Sequence, residues 1–207
     1  MTYVKICGLQ QSEHVKAAVE AGADFIGFVF APSKRQITLE QAIQLAEHIP
    51  PHVKKVGVFV NEKPERIHTI FEKVGLDFVQ YHGDECKEEI LQIGLPSIKA
   101  FSIDSQTDFL AIEQYEVDYY LFDAPGAEYR GGSGHTFNWA ILEQMNIPRN
   151  KVFLAGGLRS ENVQQAIQQV QPFAVDVSSS VETDHVKDVH KIKQFIDATK
   201  GVNSYDN

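Results

Sequence analysis

Eight apolar, β-type runs alternate with eight amphipathic stretches along this chain, and that alternation restricts the fold more than any other feature. The runs begin near Val4, Phe25, Val56, Asp77, Ile98, Asp118, Val152 and Phe173. Helical periodicity marks residues 12–20, 38–48, 64–73, 85–93, 107–115, 138–144, 161–169 and 188–199. Strand-then-helix repetition without a break in composition fits a parallel sheet, and eight units fit one (β/α)8 TIM barrel of the α/β class. A doubly wound open sheet is the competing architecture. Two internal echoes, Ala21-Gly22-Ala23-Asp24-Phe25-Ile26 and Val74-Gly75-Leu76-Asp77-Phe78-Val79, each place a helix-ending glycine before an aspartate that opens a strand. The 207 residues suffice for a single domain, 1–207, with 201–207 read as a loose C-terminal tail.

Charge narrows the partners. The formal net charge is −9, and there is no basic cluster beyond Lys34-Arg35 and Lys54-Lys55, which argues against nucleic acid. A phosphorylated small molecule remains compatible, because charges more than about 8 Å apart are screened and local donors decide. No apolar run reaches the length of a membrane span, and the N-terminus has no signal-peptide pattern. Two cysteines, Cys7 and Cys86, without metal-ligand spacing imply a reduced, cytoplasmic setting and no metal.

Barrel active sites gather at the carboxyl ends of the strands, which directs attention to a few residues. In the first run alternation puts Lys5 and Cys7 inward and Val4 and Ile6 under the helices. Cys7 reads either as a small buried hydrophobe or as a base at a strand end. Asp123 ends the sixth run on the face of Tyr119 and Leu121, where apolar surroundings raise a carboxyl pKa and make an acid; a turn-capping role is the alternative. Asp176 points inward from the eighth run and needs a partner. Because first and last strands adjoin in a closed barrel, Lys5 is the expected one.

Gly156-Gly157 after the seventh run and Ser178–Ser180 after the eighth lie where barrels hold a phosphate on backbone N–H groups; simple tight turns are the alternative. His82 stands at a strand end as a ligand contact. Residues 125–136 form a glycine-rich connection that reads as a lid or as a surface loop. Cys86 and Trp139 read as structural.

These segments resemble one family along nearly the whole chain. Lys5-Ile6-Cys7-Gly8-Leu9 is the most specific piece. It is followed in order by Gly22–Phe30, Lys55–Asn61, Gln80–Glu85, Leu121–Ala124, Gly131–Gly134, Leu154–Leu158 and Val175–Ser179. The pattern is similar to that of phosphoribosylanthranilate isomerases of tryptophan biosynthesis. The resemblance implies an Amadori rearrangement of N-(5-phosphoribosyl)anthranilate, without cofactor, by a monomer or homodimer. It implies that Asp123 is the general acid and Cys7 the general base, and that Arg35 holds the anthranilate carboxylate. His82, Gly156, Gly157, Asp176, Ser178 and Ser179 would complete the substrate site. A free thiol titrates near pH 8.5, so Cys7 needs activation, by Lys5 or by a protonated iminium.

Three positions depart from the family pattern. Lys34 replaces a proline beside Arg35, Tyr81 a common leucine, and Ser180 a glycine; serine is costly at the last if the backbone there needs positive φ. Two other readings compete: an indole-glycerol-phosphate synthase-like lyase, which wants a lysine–glutamate pair at strand ends that the sequence does not display, and a non-catalytic sugar-phosphate binder.

Overall fold

The computed structural model describes residues 1–124 and 138–201. Eight parallel strands close into a barrel in chain order. They are β1 (Tyr3–Cys7), β2 (Phe25–Val29), β3 (Lys54–Phe59), β4 (Phe78–Tyr81), β5 (Ser97–Ser102), β6 (Tyr119–Asp123), β7 (Val152–Leu154) and β8 (Ala174–Val177). β8 pairs back onto β1 with Lys5 opposite Asp176, and that pairing rules out the open sheet. The helices are α1 (Ser12–Glu20), α2 (Leu39–Ala46), α3 (Pro64–Val74), α4 (Lys87–Ile93), α5 (Phe109–Ile112), α6 (Val163–Val170) and α7 (Val189–Lys200). No described helix is long and apolar enough to cross a membrane. The 125–136 connection, and the tail beyond residue 201, lie outside the described residues.

The two faces of the strands separate as alternation requires. Val4, Ile6, Ile26, Phe28, Val79, Phe122 and Val175 pack outward under the helices. Phe25, Val56, Ile98, Leu121, Phe153 and Ala174 fill the barrel. An aromatic plug closes the amino end, with Tyr119 stacked on Phe173 at 4.7 Å and Phe25 edge-on to Phe153 at 5.2 Å. Polar inward residues above this plug are therefore held near the carboxyl ends.

Three elements differ from expectation. Only four residues of 107–115 are α-helical. Before them, Thr107 Oγ1 accepts the Asp104 N–H at 2.8 Å and closes a turn that competes with the helix. Residues Trp139–Gln144 form a 3₁₀ helix, because periods of 3.0 and 3.6 are indistinguishable over so short a span. A small hairpin, β9 (Glu182–Thr183) and β10 (Val186–Lys187), has no counterpart in the sequence reading. Its two turn residues, Asp184 and His185, have φ of 50° and 66°, as a tight hairpin turn demands. Ser180 is not among the positive-φ residues, so the feared backbone cost of serine there does not arise.

Candidate active site

Cys7 ends β1 and is buried. Its neighbour across the β1–β2 pairing is Gly27, where a Cβ would stand 2.7 Å from the sulfur, so the glycine makes room for the thiol. Two residues earlier Lys5 is fully buried and donates to Asp176 Oδ1 at 2.9 Å, as alternation and closure predict. Burial opposes the lysine's charge, but Asp176 and Cys7 outweigh it and hold the Lys5 pKa above its ordinary value. Burial also pushes the Cys7 thiol up; Lys5 works against this, and Asp176 adds to it. Lys5 thus favours the thiolate but does not offset the burial of the thiol.

Asp123 ends β6 with its side chain in the same interior. Burial, then repulsion from Asp176, raises its pKa to about 7; the Ala124 N–H and Lys5 pull the other way. Both Cys7 and Asp123 thus feel the Lys5–Asp176 pair. His82 follows β4, with Nε2 3.8 Å from Asp123 Oδ2. The Gln80 side-chain amide lies 2.9 Å from His82 Nδ1 and so orients the ring, with Nε2 toward Asp123.

The loops after β7 and β8 interlock at the rim. Gly156 and Gly157 have φ of 81° and 64°. A Cβ on Gly156 would lie 2.3 Å from the Ala124 nitrogen, so that loop presses against the end of β6. Asn162 Nδ2 donates to the Gly157 carbonyl at 3.0 Å. Ser180 Oγ donates to the Leu158 carbonyl and ties the two loops together. Ser178 Oγ donates to the Cys7 carbonyl at 3.1 Å, linking the β8 loop to the thiol strand; Ser179 follows on the half-buried rim.

Arg35 packs across Gly8, whose Cβ would meet its Cδ at 2.6 Å. Its guanidinium is already engaged by Glu182, with Nε to Oε1 at 2.6 Å and Nη2 to Oε2 at 2.9 Å. Cys86 precedes α4 and Trp139 packs in the outer core, both structural as expected. A surface hollow near Leu91, Tyr115 and Lys151 contains none of the sequence-selected residues.

A buried carboxyl, a buried thiol and two glycine- and serine-containing loops thus lie at the carboxyl ends of the barrel strands. Residues 4–198 match the family model described as PRAI, N-(5'phosphoribosyl)anthranilate (PRA) isomerase. The chain belongs to this family. An N-(5'-phosphoribosyl)anthranilate isomerase of Listeria innocua is 52% identical over 199 residues, covering 96% of this chain and 98% of the relative. The crystal structure of phosphoribosyl anthranilate isomerase from Thermotoga maritima superposes with a TM-score of 0.88 at 42% identity, covering 97% of this chain and 100% of that one. A phosphoribosyl anthranilate isomerase in complex with reduced 1-(o-carboxyphenylamino)-1-deoxyribulose 5-phosphate gives 0.84 at 39% identity, covering 97% and 100%.

Several residues around this rim have partners that no local sequence pattern reveals. Glu182 and Lys187, on the hairpin, reach Arg35 and Ser178. Gln80 orients His82 from within β4. Glu85 and Lys99 form a buried pair at 3.1 Å, and Glu85 also accepts the Asn61 and Gly83 N–H groups at 2.7 and 2.9 Å, fixing the loop that carries His82. Alternation along β4 marks Gln80 as inward; the others are visible only once the loops are folded.

Proposed function

We propose that this chain converts N-(5-phosphoribosyl)anthranilate into 1-(2-carboxyphenylamino)-1-deoxyribulose 5-phosphate, a step of tryptophan biosynthesis, in the cytoplasm. The observation that carries the residue roles is the buried Asp123 carboxyl, raised to about 7, in the same interior as the Cys7 thiol. Asp123 gives its proton to the ribose ring oxygen. The bond from that oxygen to C1 breaks, and the nitrogen lone pair forms the iminium. Cys7 takes the proton from C2; the C–H electrons form the C1–C2 double bond, and the iminium electrons return to nitrogen. The resulting enolamine loses its C2 hydroxyl proton and gains one at C1, leaving the ketone.

The loops at Gly156-Gly157 and Ser178-Ser179 suit the phosphate, with glycine backbone able to approach it closely. His82 and Asp176 face the sugar, and Arg35 takes the anthranilate carboxylate. The lyase reading gains a candidate pair in Lys99 and Glu85, but that lysine's Nζ donates to the Gly83 carbonyl and to Glu85, behind the β4 loop. A non-catalytic binder is separated from the isomerase by turnover.

The test is a steady-state assay of wild type, Cys7→Ala and Asp123→Asn on N-(5-phosphoribosyl)anthranilate. Each substitution is expected to lower kcat by about a hundredfold or more. With Asp123 acting protonated near pKa 7 and Cys7 acting ionised above it, kcat/KM rises with pH up to about 7, levels, and falls above the thiol's pKa. Near-normal turnover by either variant removes that residue from the mechanism.

A further inference from the structure

Arg35 is not a free arm awaiting a carboxylate, and the contacts that occupy it have a consequence for recognition. Glu182 engages the Nε and Nη2 hydrogens of one guanidinium edge. The end edge, Nη1 with the second Nη2 hydrogen, is not used by Glu182 and has the fork geometry that matches a second carboxylate. Glu182 is itself anchored: Lys187 Nζ lies 2.5 Å from Oε1, and both side chains are at most 5% exposed. Lys187 also donates to the Ser178 carbonyl at 2.8 Å and to Ser178 Oγ at 3.1 Å. Ser178 in turn donates to the carbonyl of Cys7. One chain of contacts therefore runs from the guanidinium, through the hairpin, to the strand that carries the thiol.

Charge along it sums to one net positive, Arg35 and Lys187 against Glu182. Burial alone would push the Glu182 carboxyl up, but Arg35 and Lys187 outweigh it and hold it below its ordinary value, so it stays ionised. The β9–β10 turn keeps two non-glycine residues at positive φ, a conformation that disfavours L side chains, so the hairpin is held in place against a local cost.

We propose that Glu182, braced by Lys187, is a positioning residue that aims the Arg35 guanidinium at the substrate carboxylate and thereby sets the preference for an ortho-carboxylated arylamine. This rests on the isomerase reading and on Arg35 as the carboxylate's partner. Glutamine at 182 keeps the shape but loses the second acceptor, so the guanidinium is held by one bond and swings. The main penalty falls on binding of the carboxylate, because Glu182 touches Arg35 and Lys187 and not the thiol or the Asp123 carboxyl.

The experiment compares wild type, Glu182→Gln, Arg35→Ala and the Arg35→Ala/Glu182→Gln double variant on two substrates, N-(5-phosphoribosyl)anthranilate and N-(5-phosphoribosyl)aniline, which lacks the carboxylate. Glu182→Gln is expected to raise KM for the anthranilate substrate about tenfold, the scale of one charge-assisted hydrogen bond, with kcat within about twofold. Its KM for the aniline substrate stays at the wild-type value, and in the Arg35→Ala background it changes neither. Equal losses on both substrates, or no loss on the anthranilate substrate, overturn the proposal. If Glu182→Gln does not fold, Glu182→Gln/Lys187→Gln removes both buried charges together and is read by the same KM comparison. A wild type that turns over neither substrate overturns the isomerase reading instead.

Discussion

A carboxyl group that is half protonated at neutral pH is an unusual possession, and Asp123 holds one because its strand carries it into an apolar interior already occupied by Asp176. The same shift has a cost in stability. The folded pKa, about 7, lies above the unfolded value near 3.9, so between the two the folded chain keeps a proton that the unfolded chain has released. Stability attributable to this residue is full below about pH 4, falls as pH rises, and is gone above about 7. Asparagine cannot ionise. Asp123→Asn is therefore expected to be more stable than wild type by about 2–4 kcal/mol at pH 8, and close to wild type at pH 4.5. Urea unfolding at the two pH values checks it, and an equal difference at both would rule the shift out. Asp123, Cys7 and the Lys5–Asp176 pair were legible in the sequence because each follows from period-two alternation plus barrel closure. The grip of Glu182 on Arg35 was not, since 147 residues separate them and no local pattern links the two loops.

At the scale of the element, the glycine–aspartate echoes turn out to be a clamp. Asp24, just before β2, accepts the Val4 N–H of β1 at 2.8 Å. Asp77, just before β4, accepts the Lys55 N–H of β3 at 2.8 Å, with Lys54 Nζ on its other oxygen at 2.9 Å. Asp118, just before β6, accepts the Ser97 N–H at the start of β5 at 2.8 Å. Each aspartate fastens an odd strand to the even strand that follows, at the amino ends. The sequence displayed the first two as repeats, yet gave no reason for the aspartate, because its partner lies about 20 residues away on a neighbouring strand. Asp24→Ala, Asp77→Ala and Asp118→Ala are each expected to cost about 1–3 kcal/mol, the worth of a hydrogen bond to a charged acceptor. Because the clamps sit at the end opposite the site, kcat stays unchanged. Thermal melts and initial rates on the same samples test this, and a variant that loses rate without losing stability contradicts it.

The whole molecule is closed by the β1–β8 pairing, and the side chains that meet across it are a buried lysine and a buried aspartate. Removing one partner leaves the other charge unpaired in the interior, whereas removing both leaves an apolar contact. Lys5→Met is therefore expected to cost about 3–5 kcal/mol, and Lys5→Met/Asp176→Leu to recover most of it while abolishing turnover. Urea midpoints of the single and double variants decide the matter. A double variant no more stable than Lys5→Met would mean that the pair does not act as a unit. The helical layer was read less well than the strands, since residues 107–115 and 138–144 are too short for periodicity to separate an α-helix from a capped turn or a 3₁₀ helix.

By itself the sequence determined the number and order of the β/α units, which face of each strand lies inward, and that a thiol and a carboxyl end two of those strands. These follow from periodicities of two and 3.6 residues, which are local. Only the tertiary structure decided how far burial raises each pKa, that Arg35 rests on Glu182, and that Lys187 ties the hairpin to Cys7 through Ser178. Desolvation and ion pairing depend on what surrounds a group in space. Here the deciding neighbours come from segments as much as 171 residues apart, which no window on the chain contains.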